Sequence, residues 1–524
     1  MTKKSGRFAI ASVLLLFSMV FSACTTVEET TSAPEVSPTE VTEATEVPAT
    51  EPIAEPTNTT EPPVELTVVF LSWVPAPPDL PVVQDALNQI LLEKINATVN
   101  LVPVNGGEYQ QKINLMLQSG EDMDLFVTGT GLGYYVEAAT GLLVPLDDLL
   151  QNYGQDLLEA VDQKFLDAAK SSDGQIYGVP TLRSFAGQTG FVMRKDLVDK
   201  YDIDLSTITT TTDLEPILQT IFENEPGVAP IVPEAPGAGV YGMAVDIPYD
   251  ALGDSIGVLP NYGQELVVED LFETEGYADW VYLLRDWYEK GYILQDAATN
   301  RETSADLLRA NRGFGFFSGI TVGSAEQATL QTGMPMVVAP VSEPFLNSGY
   351  ITQIMWAIPR QSKSPEKAMA FMNLLFSDPE VVNLLNYGIE DQHYIKVSDN
   401  EIKFPEGVTV VDHPYNFGLS WEFGNQFLSY VFEGTDPDIW DKTREYNDSA
   451  LQSAALGFIV DVEPIKNEFA AVFNVFVQYQ SGLGTGSVDP DVYLPEFIEK
   501  LKAAGIDTIV AEKQRQLDDW AANN

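Results

Sequence analysis

The chain has 524 residues, 45% of them hydrophobic, which is enough for two or three cores rather than one. Acids outnumber bases 77 to 28, giving −49 with no basic stripe, and such a field repels phosphate backbones, so no nucleic-acid partner is expected. Two histidines, His393 and His413, and one cysteine leave little for His/Cys metal chemistry, and no cofactor or metal is expected.

Lys3, Lys4 and Arg7 precede an apolar run from Phe8 to Phe21, too short for a stable membrane anchor. Residues 1–23 therefore read as a signal peptide. The run ends Phe21-Ser22-Ala23-Cys24, which resembles a lipobox, where a cysteine sulfur takes a diacylglyceryl group before cleavage on its N-terminal side. Phe21 stands where leucine is usual. Cys24 is the expected lipid anchor, and with it consumed no disulfide is available. Residues 24–65 form a Thr/Glu/Pro tether; from 25 to 65 it carries ten glutamates, seven prolines and no base. Such a segment cannot bury enough surface to offset its ordering entropy, so it is expected to stay extended, with a reach of roughly 100 Å. A lipidated end plus a solvated stalk places a globular body on the outer face of a cell membrane.

The folded part is expected from Leu66. Leu66–Trp73 reads as a buried strand, Pro81 opens a helix with Val83, Leu87 and Leu91 on one face, and Thr98–Pro103 is a second strand. A helix over Tyr109–Leu117 and a strand over Leu125–Thr128 follow. This alternation predicts a parallel α/β sheet, with ligand beyond the carboxyl ends of its strands. Strands are next expected at Ile176–Pro180 and Gly190–Met193, a capped helix over Leu214–Phe222, loops over 226–262, and an aromatic helix over Tyr277–Tyr288. Strands at Gly313–Phe317 and Pro335–Ala339 complete a second α/β body. Ile351–Ile358 reads as a strand, Ser364-Pro365-Glu366 and Asp378-Pro379-Glu380 as two helix starts, and Gly388 as a stop. Beyond Tyr415 the chain reads as mainly helical.

The segments Ser364–Ala368, Phe371–Leu375 and Asn386-Tyr387-Gly388-Ile389-Glu390 leading to His393-Tyr394 resemble the family 1 bacterial extracellular solute-binding proteins, the lipoprotein receptors of ABC importers for sugars. The tail, Leu456-Gly457-Phe458, Pro464–Tyr479, Ser487–Pro490 and Leu501 through Trp520, resembles a C-terminal domain of unknown function on one lipoprotein branch of that family. The resemblance implies a two-lobed, periplasmic-binding-protein-like fold of the Venus-flytrap kind. It implies chain crossings near 180–190 and 340–350, lobe 1 from 66–182 plus 343–392, and lobe 2 from 183–342 plus 393–524. Residues 455–522 would be the family-specific helical domain. It also implies a monomer with a sugar ligand and ABC permease transmembrane subunits as partners.

No Walker loop, HExxH or nucleophile elbow occurs. Acid pairs such as Glu121/Asp122/Asp124 fit a solvated surface in so acidic a chain. Sugar pockets combine stacking aromatics with polar side chains. The candidates are Trp73, Thr128 and Tyr134 from one lobe and Ser318 from the other, with Arg183 and Trp356 near the seam; Trp421 is a further aromatic of the same kind. The expected function is solute capture by hinge closure, without catalysis. A surface-tethered polysaccharide hydrolase is the alternative, marked by paired acids in a cleft, and an adhesin would show repeats, of which none is seen.

Overall fold

The computed structural model describes residues 62–171, 173–235, 248–409 and 412–523. The signal peptide, Cys24 and the tether up to residue 61 lie outside them. The strands in chain order are β1 Val64–Ser72, β2 Ala97–Asn105, β3 Leu125–Thr128, β4 Gly178–Pro180, β5 Gln188–Arg194, β6 Ala229–Ile231, β7 Tyr249–Asp250, β8 Gly313–Ile320, β9 Met336–Pro340, β10 Phe345–Leu346, β11 Met355–Ala357, β12 Ile395–Lys396, β13 Glu401–Lys403, β14 Val431–Phe432 and β15 Leu451–Gln452.

Lobe 1 is built on the sheet β2-β1-β3-β11-β4 and lobe 2 on β6-β8-β5-β9. In lobe 1, β1 pairs in parallel with β2 and β3, as the alternation of strands and helices predicts. The expectation of an all-parallel sheet does not hold at β11, which runs antiparallel to both β3 and β4. The chain enters β11 on its way back from lobe 2, so it arrives from the opposite direction. In lobe 2, β5 is antiparallel to both neighbours and only β6 and β8 are parallel. Ile351–Ile358 is not one strand either: Ser348–Ile351 is a helical turn, with Asn347 Oδ1 accepting from Tyr350 N, and the strand proper is Met355–Ala357.

The two helices after β11 follow their capping chemistry. Pro379–Tyr387 starts at Asp378, whose carboxylate accepts from Glu380 N and Val381 N. Pro365–Ser377 has proline in its first turn, but Ser364 makes no capping bond through its side chain. Ala368, Phe371 and Leu375 are buried in the lobe 1 core. That core also takes Tyr415, Phe417, Leu419, Phe423 and Ala450. The stretch from about 412 to 450 therefore packs with lobe 1, not with lobe 2 as the domain boundaries set out above placed it. Ala450, the last of these core residues, immediately precedes β15.

Helices Lys466–Leu483, Pro490–Ala504 and Ile506–Ala521 form the C-terminal part. Their apolar faces close over Ile256, Val258, Leu271, Phe272, Tyr277 and Val281 to make a third core. No helix among the described residues is long and apolar enough to cross a membrane.

Candidate functional site

Among the described residues three chain segments connect the lobes, and they lie side by side. Gly187 bridges Phe345 in antiparallel fashion, and β10 pairs in parallel with β15. The third of these, at 451–452, is absent from the crossings expected from the sequence. Two-residue strands carry no periodicity for a sequence to show. Beside this ribbon lie the carboxyl ends of β3 from lobe 1 and of β8 from lobe 2.

At the end of β1, Trp73 is 64% exposed. Its ring lies against Gly106, where a Cβ atom would stand 2.3 Å from the indole, so only glycine leaves room for it. Gly106 N donates to Ser72 O (2.9 Å) and Ser72 Oγ donates to Val74 O (2.7 Å), which fixes the backbone on either side of the ring. The result is a flat apolar face open to solvent at the end of β1. A sugar ring with an apolar C–H face can stack on such a surface.

The end of β3 is latched to the second crossing. Thr130 N donates to Thr352 O (2.8 Å), the two threonine hydroxyls are 2.5 Å apart, and Tyr135 OH donates to Thr352 Oγ1 (3.1 Å). Gly129 passes so near this crossing that a Cβ atom would meet Gln353 O at 2.0 Å. Arg183, in the first crossing, donates to Ser184 O (2.9 Å), Tyr350 O (2.8 Å) and Gln353 Oε1 (3.1 Å). It thus ties the first crossing to the second at the expected seam, with its charge committed to protein oxygens. Burial pushes the guanidinium down to about 10, which still leaves it a cation at neutral pH.

On lobe 2, Ser318 Oγ donates to Glu234 Oε1 (2.5 Å), next to exposed Gly319. Ser318 pairs with Gly190 and Ile320 with Gln188, so this end of β8 lies level with the hinge. Burial raises the Glu234 carboxyl above its ordinary range despite the serine. Glu234 follows a short strand and a proline and carries no sequence signal of its own, so sequence reasoning missed it. Tyr135, Tyr350 and Gln353, also at the crossings, were missed for the same reason.

Three of the residues expected to line the site do not reach it. Trp356 is completely buried, and its indole N–H donates to Glu422 O (2.7 Å). Tyr134 is completely buried and braces the loop before β4, donating to Ala169 O (2.6 Å) and accepting from Tyr177 N (3.2 Å). Thr128 is sealed beneath the surface and donates to Glu137 Oε2 (2.8 Å). Each side chain is enclosed within lobe 1, so in this structure none of the three is open to a ligand. Trp421 packs against the same core. Of the expected residues, Arg183 bonds the second crossing and Ser318 lies level with the hinge, while Trp73 stands exposed at the end of β1.

Under this floor lie two carboxyls with incomplete partners. Glu137 is 2% exposed; its Oε2 accepts from Thr128 and its Oε1 has no partner. Burial pushes it up to about 7. Glu422 is completely buried, with Oε1 accepting from Leu71 N (2.9 Å), and burial raises it well above the carboxylate range. A separate groove of about 550 Å³, lined by Phe222, Glu225, Gly291, Gln295 and Arg312 among others, lies where β8 begins, at the far end of lobe 2 from the crossings.

A family model described as bacterial extracellular solute-binding protein matches residues 86–398, and a model described as a domain of unknown function matches 454–522. A carbohydrate ABC transporter substrate-binding protein of Streptococcus pneumoniae serotype 4 is 31% identical over 445 residues, 83% of this chain and 87% of that one. The crystal structure of the N-glycan transport solute binding protein NgtS from Streptococcus pneumoniae overlaps with a TM-score of 0.78 at 25% identity, covering 88% of this chain and 99% of its own. The same protein in complex with Man5GlcNAc gives 0.66 at 26% identity, with the same two coverages.

Proposed function

Because the chain belongs to the bacterial extracellular solute-binding proteins, we propose that it captures a carbohydrate between its two lobes and passes it to the transmembrane subunits of an ABC importer. The observation that carries this reading is the 31% identity, across 83% of the chain, to a carbohydrate ABC transporter substrate-binding protein. The likeness to NgtS supports a neutral oligosaccharide, with mannose and N-acetylglucosamine units as the class to test first. The protein works by binding and release rather than by catalysis, as a monomer. Cys24 anchors it by lipid to the outer face of the cell membrane, and residues 25–65 hold the body away from the bilayer.

In this reading Trp73 stacks on a sugar ring from lobe 1, while Glu234 and Ser318 take hydroxyl or amide groups from lobe 2. Contacts to both lobes exist together only when the lobes are shut, so the ligand favours the closed state by differential affinity. The greater overlap with NgtS alone than with its Man5GlcNAc complex fits an open form that closes on sugar.

A thermal-shift and small-angle scattering experiment with Man5GlcNAc tests this. Binding to the folded state alone raises the melting temperature, by the equivalent of about 2.7 kcal/mol at a hundredfold excess over Kd, and closure lowers the radius of gyration. No shift with this sugar or with other neutral oligosaccharides overturns the carbohydrate reading. Trp73→Ala is expected to weaken binding by about 1–3 kcal/mol, the scale measured for aromatic stacking on nucleobases, with melting temperature unchanged because the ring is exposed. Normal affinity in that variant removes Trp73 from the site. Cys24→Ala is expected to move the protein from the membrane fraction to the unprocessed or soluble one. Mature, membrane-bound protein in that variant removes the lipid anchor.

A further inference from the structure

Between β7 and helix Glu275–Lys290 the chain forms a clamp on the hinge. Tyr262 OH accepts from Glu343 N (3.2 Å), and its ring packs on Phe345 with centroids 5.3 Å apart. Asp250 Oδ1 accepts from Asn347 Nδ2 (2.9 Å), directly after β10. On the other crossing, Gln264 Nε2 donates to Gln452 O (2.8 Å) and Ala454 N donates to Gly263 O (3.0 Å), on either side of the end of β15. One segment, 250–264, thus grips two of the three strands that join the lobes.

That segment holds an unusual backbone. Of the eight non-glycine residues with positive φ among those described, four fall within it: Leu252, Ser255, Asn261 and Tyr262. Left-handed conformations at such residues persist only where the surroundings enforce them, and they concentrate at functional places. The surroundings here are the C-terminal helices. Lys513, completely buried in helix Ile506–Ala521, donates to Asp254 Oδ1 (2.6 Å) and to Gly257 O (3.1 Å). Gln514 accepts from Val268 N (2.7 Å) and donates to Leu266 O (3.2 Å). A buried lysine finds its place only with a carboxylate and acceptors arranged around it, so this helix fixes the clamp in register as well as covering it.

We propose that the C-terminal three-helix domain is a brace for the hinge: through Lys513 on Asp254 and Gly257, and through Gln514 on Leu266 and Val268 just beyond, it holds the 250–264 clamp on β10 and β15 and so sets how freely the lobes open. This rests on the two-lobed reading above but not on which solute binds. The domain needs no ligand contact to affect affinity, because stiffening the crossing strands shifts the balance of open and closed states before any solute arrives.

The test is hydrogen–deuterium exchange on the full chain without solute, comparing the unaltered protein with Lys513→Met. Amides in 343–354 and 450–458 are expected to exchange at least tenfold faster in the variant, while those of β1 and β8 exchange as before. Faster exchange confined to residues 466–521 overturns the proposal, since the domain would then loosen without reaching the hinge. An equal rise throughout both lobes also overturns it, as the signature of general destabilisation. Leaving Asp254 without its lysine can prevent folding, so Gln514→Ala is measured in parallel; it removes three hydrogen bonds, to Val268, Leu266 and Asp518, and no charge. The same pattern at a smaller amplitude supports the brace, and unchanged exchange in both crossing segments overturns it. Since no sugar is present, neither result depends on the carbohydrate reading.

Discussion

Glu137→Gln is expected to stabilise the protein at neutral and alkaline pH and to leave it unchanged near pH 4. Glu137 is 2% exposed, and burial lifts its carboxyl from 4.5 to about 7. A carboxyl raised in the folded state favours folding fully below its unfolded value and loses that advantage as pH rises. Here the loss runs from about pH 4.5, where the unfolded chain releases its proton, to about pH 7, where the folded one does. Above that range the cost is on the order of 3 kcal/mol, from 2.5 pK steps at 1.36 kcal/mol each. Glutamine keeps an oxygen for the Thr128 hydroxyl and never ionises, so the variant removes the slope. Denaturation of both proteins at pH 4, 6 and 8 measures it. Curves separated by the same amount at every pH would show that folding does not raise the Glu137 carboxyl.

Much of the fold was legible because it follows local chemistry. Leu125–Thr128 is a strand with the bounds its apolar run suggests, and Asp378-Pro379-Glu380 starts a helix as the capping pattern requires. What escaped was decided by partners far along the chain. The reversed direction of β11 depends on where the chain returns from lobe 2, which no local pattern states. The third crossing rests on β10 and β15, two residues each and more than a hundred positions apart. Tyr415, Phe417, Leu419 and Phe423 lie in irregular chain, so their place in the lobe 1 core shows only in three dimensions. The site divides in the same way. Thr128 and Tyr134 stand at or just after a strand end, and strand position alone does not say which side chain turns inward. Glu234 became visible only as the partner of Ser318.

Trp73 and Trp356 each close or interrupt an apolar run, and in sequence both fit a stacking aromatic. Trp73 stands just past the last residue of β1 and is 64% exposed, whereas Trp356 is the middle residue of β11, between β3 and β4, and is fully buried. Trp356→Ala is therefore expected to cost about 3–5 kcal/mol of lobe 1 stability, the usual range for emptying the site of a large buried aromatic. Losing its N–H donor also leaves the Glu422 carbonyl without that bond, a further cost of about 1 kcal/mol. Denaturant unfolding should show the lobe 1 transition at a much lower midpoint. At a temperature where the variant is still folded, sugar affinity should change by less than it does in Trp73→Ala. A variant that keeps its midpoint while losing affinity would put Trp356 back among the ligand contacts, and the burial seen here would then belong to a state the protein leaves when it binds.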